Sequence, residues 1–396
     1  MFYLLLFLLI CLFTIFELIN IEYKYQTYMT LFVVLIFVLI AGLRYETGVD
    51  WLVYEKMLET TPPITDITDA FGRVLIFSTP DYGYCLLMSV VKYFGGSIQV
   101  IFFITSCVSM FFVYKGVNCY SESRVVSLLI YFSLFFFILD MSGLRQGFSL
   151  SVFFYSIKYI HQRKFWIYLT MILFAASFHW SAYLLIPIYF VAKRRFSSVS
   201  LVVFFCISLI IFFFNISWLE KTITAVFPSL ESEVFAAKLL VYTTNDKFSE
   251  GRQLTANTIA SILFYITTFA FCIFYRDRLE KRNKYFYLFF NIYICQIFTF
   301  FCLYELIEMA DRLRLYFLIS NVVLFPSMIY LFQVKKERML AFTYAGIFAF
   351  FSCMPYILNA PTTIAYYPYQ NYVIYKMFNI ESTGPQRLQK HSELHE

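Results

Sequence analysis

A chain of 396 residues with 61% hydrophobic, 22% aromatic and only 14% charged residues falls outside the composition of soluble globular proteins, which run nearer ~45–50% apolar and ~25% charged. Its formal net charge of +6 sits in short clusters at the ends of apolar runs, with no basic patch interleaved with stacking aromatics, which argues against nucleic acid as a partner. The nine cysteines lie mostly inside apolar runs without CxxC or C…H spacing, so packing is expected and no metal site.

A spanning helix takes roughly 20 apolar residues, and runs of that kind predict an all-α, polytopic integral membrane protein with about 12–13 transmembrane helices. In chain order the spans are expected at 2–19, 28–43, 97–115, 125–140, 143–160, 165–178, 180–192, 199–216, 256–275, 285–304, 315–333 and 339–355. Residues 2–19 lack a basic n-region and a small-residue cleavage site, and read as the first span, not a removed signal. Several runs are short, which predicts tilt, shared boundaries or partial penetration. Asp81–Phe94 is weaker and amphipathic, and suits either another span or an interfacial helix. No Gly/Ser linker, soluble domain or repeat interrupts the chain. A single helical membrane domain over 1–396 is expected, with a long outer loop at about 216–255.

Orientation follows the lysine and arginine bias. The turns His161–Lys164, Lys193–Arg195, Arg276–Lys284 and Lys335–Arg338 all land on one side, taken as cytoplasmic. The opposite side then receives 44–80, 140–147, the junction at His179, 216–255, 305–314 and 356–376. The side of the N-terminus depends on whether 81–94 crosses.

Four polar segments gather on that outer side. Gly42-Leu43-Arg44-Tyr45-Glu46-Thr47-Gly48-Val49-Asp50-Trp51 with Tyr54 suits a turn presenting polar groups to a ligand, or an ordinary connection with an interfacial aromatic belt. Asp140-Met141-Ser142-Gly143-Leu144-Arg145-Gln146-Gly147 places Arg145 close to hydrocarbon. A guanidinium there either snorkels or faces a carboxylate or a phosphate. Ser177-Phe178-His179-Trp180-Ser181 carries the side chain best suited to take a proton near neutral pH, although a lone membrane-edge His is often structural. Glu305 to Phe317 carries Arg312 and Arg314, two residues apart and so on different helix faces; local pairing of Glu308 with Arg312 is the plain alternative. Three arginines and a histidine from four distant segments suggest an anionic ligand, and a lipid-borne diphosphate would arrive at this depth. No Walker motif, DxD, HExxH or GxSxG is present, so nucleotide-driven, metalloprotease and common serine-hydrolase chemistry lack support.

These segments are also where the chain resembles a known family. Arg44-Tyr45 through Gly48-Val49-Asp50-Trp51 with Tyr54, Gly143-Leu144-Arg145-Gln146-Gly147, Phe178-His179-Trp180-Ser181, Arg312-Leu313-Arg314-Leu315-Tyr316-Phe317 and Tyr367-Pro368-Tyr369-Gln370-Asn371-Tyr372 are similar, in order and spacing, to the EpsG family. That family is related to the Wzy O-antigen and capsule polymerases. Trp180 departs from the small or hydroxyl residue usual after the His.

The resemblance implies a metal-independent glycosyltransferase in the bacterial inner membrane that needs no cofactor. It would join undecaprenyl-diphosphate-linked oligosaccharide repeat units at the periplasmic face, in contact with membrane lipid and with a chain-length regulator and a flippase as pathway partners. On that reading Arg145 and Arg312 hold the diphosphate, with Arg44 joining them or orienting a sugar. His179 is the candidate base and Asp50 the alternative, while Tyr45, Trp51, Tyr54 and Gln146 face the sugars. The charged residues Glu231, Glu233, Lys238, Asp246, Glu250 and Arg252 of 216–255 would cover the site. Rival readings are a flippase or transporter of lipid-linked oligosaccharide, an O-antigen ligase or membrane acyltransferase, and a nonenzymatic scaffold. A transporter predicts charge at the bilayer centre and an internal repeat, and the chain has neither signature.

Overall fold

Hydrocarbon offers no partner for backbone N–H and C=O groups, so apolar runs of this length must close their own hydrogen bonds as helices. The computed structural model describes residues 1–19, 22–66, 81–216, 218, 254–304, 307–358 and 361–394, and among them no strand forms. The expected outer loop at 216–255 lies almost wholly outside the described residues. The helices are α1 (Phe2–Leu18), α2 (Tyr23–Gly42), α3 (Trp51–Thr60), α4 (Tyr82–Tyr93), α5 (Ile98–Tyr120), α6 (Arg124–Tyr131), α7 (Leu144–His161), α8 (Phe165–Phe178), α9 (Ile188–Ala192) and α10 (Ser198–Phe213). There follow α11 (Ala256–Phe274), α12 (Arg276–Arg282), α13 (Phe286–Phe301), α14 (Ile307–Leu318), α15 (Asn321–Tyr330), α16 (Lys335–Ile357), α17 (Tyr372–Met377) and α18 (Gly384–Glu393). Tyr23–Gly42, Ile98–Tyr120, Ala256–Phe274, Met309–Tyr330 and Lys335–Ile357 are long and apolar enough to cross a membrane, and shorter apolar helices accompany them. The protein is an all-α polytopic membrane protein.

Contacts divide the chain into two compact units, Met1–Tyr189 with Phe325–Glu396, and Phe190–Leu324. In the first unit, α2 ends at Gly42 and the Arg44 guanidinium lies 3.9 Å over the ring of Phe102, in the first turns of α5. The chain therefore re-enters at the end it left. Asp81–Phe94 does not cross; it becomes α4, paired with α3 at that end. Lys92 holds the pair together, its ammonium donating to the carbonyls of Leu58, Glu59 and Thr61 at 3.1, 2.7 and 2.7 Å, which caps the exposed C-terminus of α3. Gly83 lets α4 press on α8, since a Cβ there would stand 2.4 Å from the Ser177 hydroxyl.

The opposite end of the first unit is closed by Glu17. Its buried carboxylate accepts from the backbone N–H groups of Arg124 and Val125, each at 3.0 Å, and from the Ser123 hydroxyl. An anion at the start of α6 satisfies the orphan amides of that helix and complements its dipole. The basic turns 161–164 and 335–338 lie at this end. Tyr120, at the end of α5, donates to the Tyr155 carbonyl of α7 at 2.8 Å, and Arg338 sits 4.9 Å over the ring of Tyr330.

In the second unit, Glu280 accepts from both Arg195 (3.0 Å) and Arg276 (3.1 Å), so its two basic turns share one end. Gln296 anchors the interior: its amide donates to the Tyr265 hydroxyl at 3.1 Å and its carbonyl accepts from Asn321 at 3.1 Å and Ser320 at 3.3 Å. Buried amides of this kind need all their partners, and here they have them.

Gly48 carries the sharpest local constraint. Its φ is +103°, and a Cβ would fall 2.1 Å from the Met141 carbonyl oxygen. Gly48→Ala should lower the melting temperature of the detergent-solubilised protein by the equivalent of about 1–3 kcal/mol or more. Gly346→Ala, in open space on α16, should be neutral or stabilising by roughly 0.5–1 kcal/mol. Equal melting temperatures for both variants would contradict the Gly48 contact.

Candidate functional site

The last turns before Asp140 are wound wide. Phe132–Asp140 is a π-helix, with Met141 N–H reaching back to the Phe136 carbonyl (2.9 Å) and Gly143 N–H to that of Ile138 (2.8 Å). Such windings are uncommon and recur at functional sites. The turn that follows presents Ser142, whose hydroxyl accepts from Val49 N–H at 3.0 Å and lies 2.7 Å from the Tyr366 hydroxyl. Gly48 N–H donates to the Ala365 carbonyl (3.0 Å), Tyr45 N–H to that of Gln370 (2.8 Å) and Tyr372 N–H to that of Leu43 (2.8 Å). Arg44 and Asn371 form a lone antiparallel bridge. Three stretches far apart in sequence thus make one hydrogen-bonded platform.

Arg44 is fully buried beneath it. Its Nη1 donates to the carbonyls of Ala41 (2.7 Å) and Asp140 (3.0 Å), tying the C-terminus of α2 to the end of the π-helix. Burial lowers its pKa to about 10, which leaves it charged at neutral pH. Sealed in this way, Arg44 is a clamp within the fold and not a group presented to a ligand. Among the described residues its Nε and Nη2 find no hydrogen-bond partner.

Arg145 is placed differently. It opens α7 and keeps 23% of its side chain exposed. Its Nη1 lies 2.5 Å from Oδ2 of Asp81, whose side chain is only 1% exposed. The other oxygen of Asp81, Oδ1, accepts from Trp180 N–H at 3.0 Å. Asp81 Oδ2 is also 3.8 Å from His179 Nδ1. Among the described residues neither ring nitrogen of His179 is hydrogen-bonded, although its side chain is 10% exposed. The backbone at His179 is extended where α8 ends, and Phe178 stacks on Phe148 at 3.8 Å, which fixes the junction against α7. One buried carboxylate thus holds the arginine and stands next to the histidine.

Aromatic rings join this pair to Arg44. Arg145 lies 5.9 Å from the centre of the Tyr54 ring, which meets Tyr84 at 5.7 Å and Phe102 at 6.2 Å. Tyr54 and Trp51 are buried, and burial raises the pKa of Tyr54. Tyr54 therefore supports Arg145 from inside, and neither ring offers a free face for a sugar. Gln146 is buried as well. Asp50, at the N-terminus of α3, and Tyr45 are partly exposed; Tyr45 meets Tyr372 and Tyr375 at 5.8 and 5.9 Å.

In the second unit, Arg312 is exposed on α14. Arg314 turns inward, donating to Asp311 at 3.0 Å beside the Phe300 ring, so the two arginines do take different faces. The side chain of Glu308 lies outside the described residues.

A family model described as the EpsG family matches residues 27–371. The chain belongs to the EpsG family. EpsG is a Wzy-like polymerase family, and the match spans all four polar segments and the Arg44–Asn371 bridge. No curated relative and no solved structure matches the chain.

Two residues of this EpsG-family site escape a reading of the sequence. Asp81 looks like the flank of an ambiguous apolar run; only its Asp-Tyr-Gly-Tyr context at a helix start hints at a role. Arg387 lies beyond the last span, and α18 brings it back. Its guanidinium donates to the carbonyls of Pro368 (2.8 Å) and Glu46 (2.9 Å), pinning the tail to the platform. Burial lowers its pKa. A charge-assisted hydrogen bond contributes roughly 1.5–3 kcal/mol. Arg387→Met should therefore speed amide hydrogen exchange in α18 and in residues 44–50 by at least about tenfold, with exchange in α5 unchanged. Unaltered protection at 44–50 would show that the tail does not brace the loop.

Proposed function

We propose that this protein is a polysaccharide polymerase of the bacterial inner membrane, joining undecaprenyl-diphosphate-linked oligosaccharide repeat units at the periplasmic face. The observation that carries the reading is Arg145: a partly exposed guanidinium at the site end of the first unit, on a buried carboxylate 3.8 Å from a histidine whose buried ring nitrogens have no hydrogen-bond partner among the described residues. Family membership supports this reaction class. Glycosyl transfer from a lipid diphosphate needs the leaving group's charge to be stabilised, which an arginine can do. It also needs a base for the acceptor hydroxyl, which His179 can supply; Asp50 is the alternative. A flippase and a chain-length regulator of the same pathway are the proposed partners.

The first test is genetic. A deletion strain should still display one repeat unit on its surface, because a flippase and a ligase would remain. No surface repeat at all, with ligation intact, would point to a flippase. Complementation with Arg145→Lys should shorten the polymer ladder by around tenfold or more at normal membrane levels, since a lysine cannot reproduce the planar fork. Full-length ladders would reduce Arg145 to a membrane anchor.

The periplasmic placement has its own test. In a cysteine-free background, a cysteine at exposed Phe378 should be labelled from outside the cell, and one at exposed Lys164 should be protected. The reverse pattern would turn the site to the cytoplasm.

A further inference from the structure

Asp81 does more than neutralise a partly exposed arginine. Its two oxygens have separate partners: Oδ1 is held by Trp180 N–H at 3.0 Å, while Oδ2 is shared between Arg145 Nη1 at 2.5 Å and the neighbourhood of His179 Nδ1 at 3.8 Å. Were Arg145 to leave, Asp81 would stay in place on its Oδ1 bond. Oδ2 would then be a buried anion without a cation, about 1 Å short of hydrogen-bond distance from an imidazole nitrogen. A buried carboxylate in that state is costly unless it is paired again, and His179 is the group beside it.

Arg145 has a reason to leave. On the polymerase reading, on which this inference rests, the incoming ligand is a diphosphate, which offers more oxygens and more charge than one carboxylate. We infer that Asp81 is a positioning residue that exchanges partners: the donor diphosphate draws Arg145 away, and the freed Oδ2 closes on His179 Nδ1. The hydrogen bond to Nδ1 fixes the tautomer and leaves Nε2 as the acceptor. The acceptor sugar hydroxyl then loses its proton to His179 Nε2. Its oxygen bonds to the anomeric carbon as the bond from that carbon to the phosphate oxygen breaks. The electron pair departs on the lipid diphosphate, facing Arg145, and the imidazolium formed stands against the Asp81 carboxylate until its proton passes to solvent. Base activation is thereby coupled to donor binding, so His179 is not poised for an acceptor when no donor is present.

The exchange predicts that Asp81 opposes donor binding and promotes turnover, a combination that a merely structural residue does not produce. The probe is undecaprenyl diphosphate, titrated onto the full chain in detergent. Asp81→Asn, which keeps an oxygen for Trp180 N–H, should bind the probe about tenfold tighter than wild type, because the competing anion is gone. The same variant should shorten the polymer ladder by at least about tenfold. Asp81→Glu should retain wild-type binding and a partial ladder. If the amide variant fails to accumulate, Asp81→Ser gives the same binding test. Binding unchanged or weakened in Asp81→Asn, while Arg145→Lys loses the probe, would overturn the exchange and leave Arg145 as a diphosphate ligand. A full ladder from Asp81→Asn would overturn it too. Wild type and Arg145→Lys binding the probe alike would remove the diphosphate assignment itself, and the exchange with it.

Discussion

A carboxylate buried at the edge of a membrane has to be paired completely, and the functional end of the first unit depends on how Asp81 meets that requirement. Three groups converge on it from two places in the chain: Arg145 at the head of α7, and His179 and the Trp180 amide at the junction after α8. Satisfying the anion places α4 against α8, which Gly83 permits through its contact with Ser177. It also holds the α3–α4 pair at the end where α2 leaves and α5 returns. Moving α7 and its Arg145 away from Asp81 with no replacement partner would strand a charge in low dielectric, so these elements have little freedom to drift apart.

The cations of the same unit are handled in contrasting ways, and the contrast separates scaffold from site. Arg44 and Arg387 are buried and give their bonds to backbone carbonyls. Carbonyls at helix ends and turns are the groups that most need donors in a protein short of water. Burial weakens the hold of both arginines on their protons, and the packing they secure offsets that cost. Arg145 faces a carboxylate and is still partly exposed. Arg145 combines an exchangeable partner with a route to solvent, which is what a ligand-binding cation requires.

Glycosyl transfer from a diphosphate asks little covalent chemistry of a protein. It asks for charge stabilisation at the leaving group, a base at the acceptor, and geometry that brings both into play together. A platform stitched from the Arg44–Asp50 loop, the Ser142 turn and residues 361–372 gives the Arg145 end a rigid floor. The wide π-wound turns before Asp140 let that helix deliver a carbonyl to Arg44 and a hydroxyl to Val49 within three residues.

Apolar run lengths and polar interruptions were enough to determine the class, most helix positions and where polar residues interrupt them, because bilayer thickness and backbone satisfaction act on local composition. Arg145 and His179 could be picked out for the same reason: a charged or titratable group beside hydrocarbon stands out in sequence. What each residue faces was not legible. Arg44, Trp51 and Tyr54 belong to the same kind of polar, aromatic segment as Tyr45, yet the fold buries the first three and leaves Tyr45 partly exposed. Asp81 carried little local signal beyond its place at a helix start, since its partners lie 64 to 99 positions away. Whether 81–94 crosses could not be decided from its amphipathicity, which suits an interfacial and a half-buried helix alike. It was settled by Arg44 stacking on Phe102 and Lys92 capping α3, contacts that exist only once distant helices pack. Composition acts residue by residue and so survives in the sequence; pairing and burial are made between segments, and only the folded chain brings those segments together.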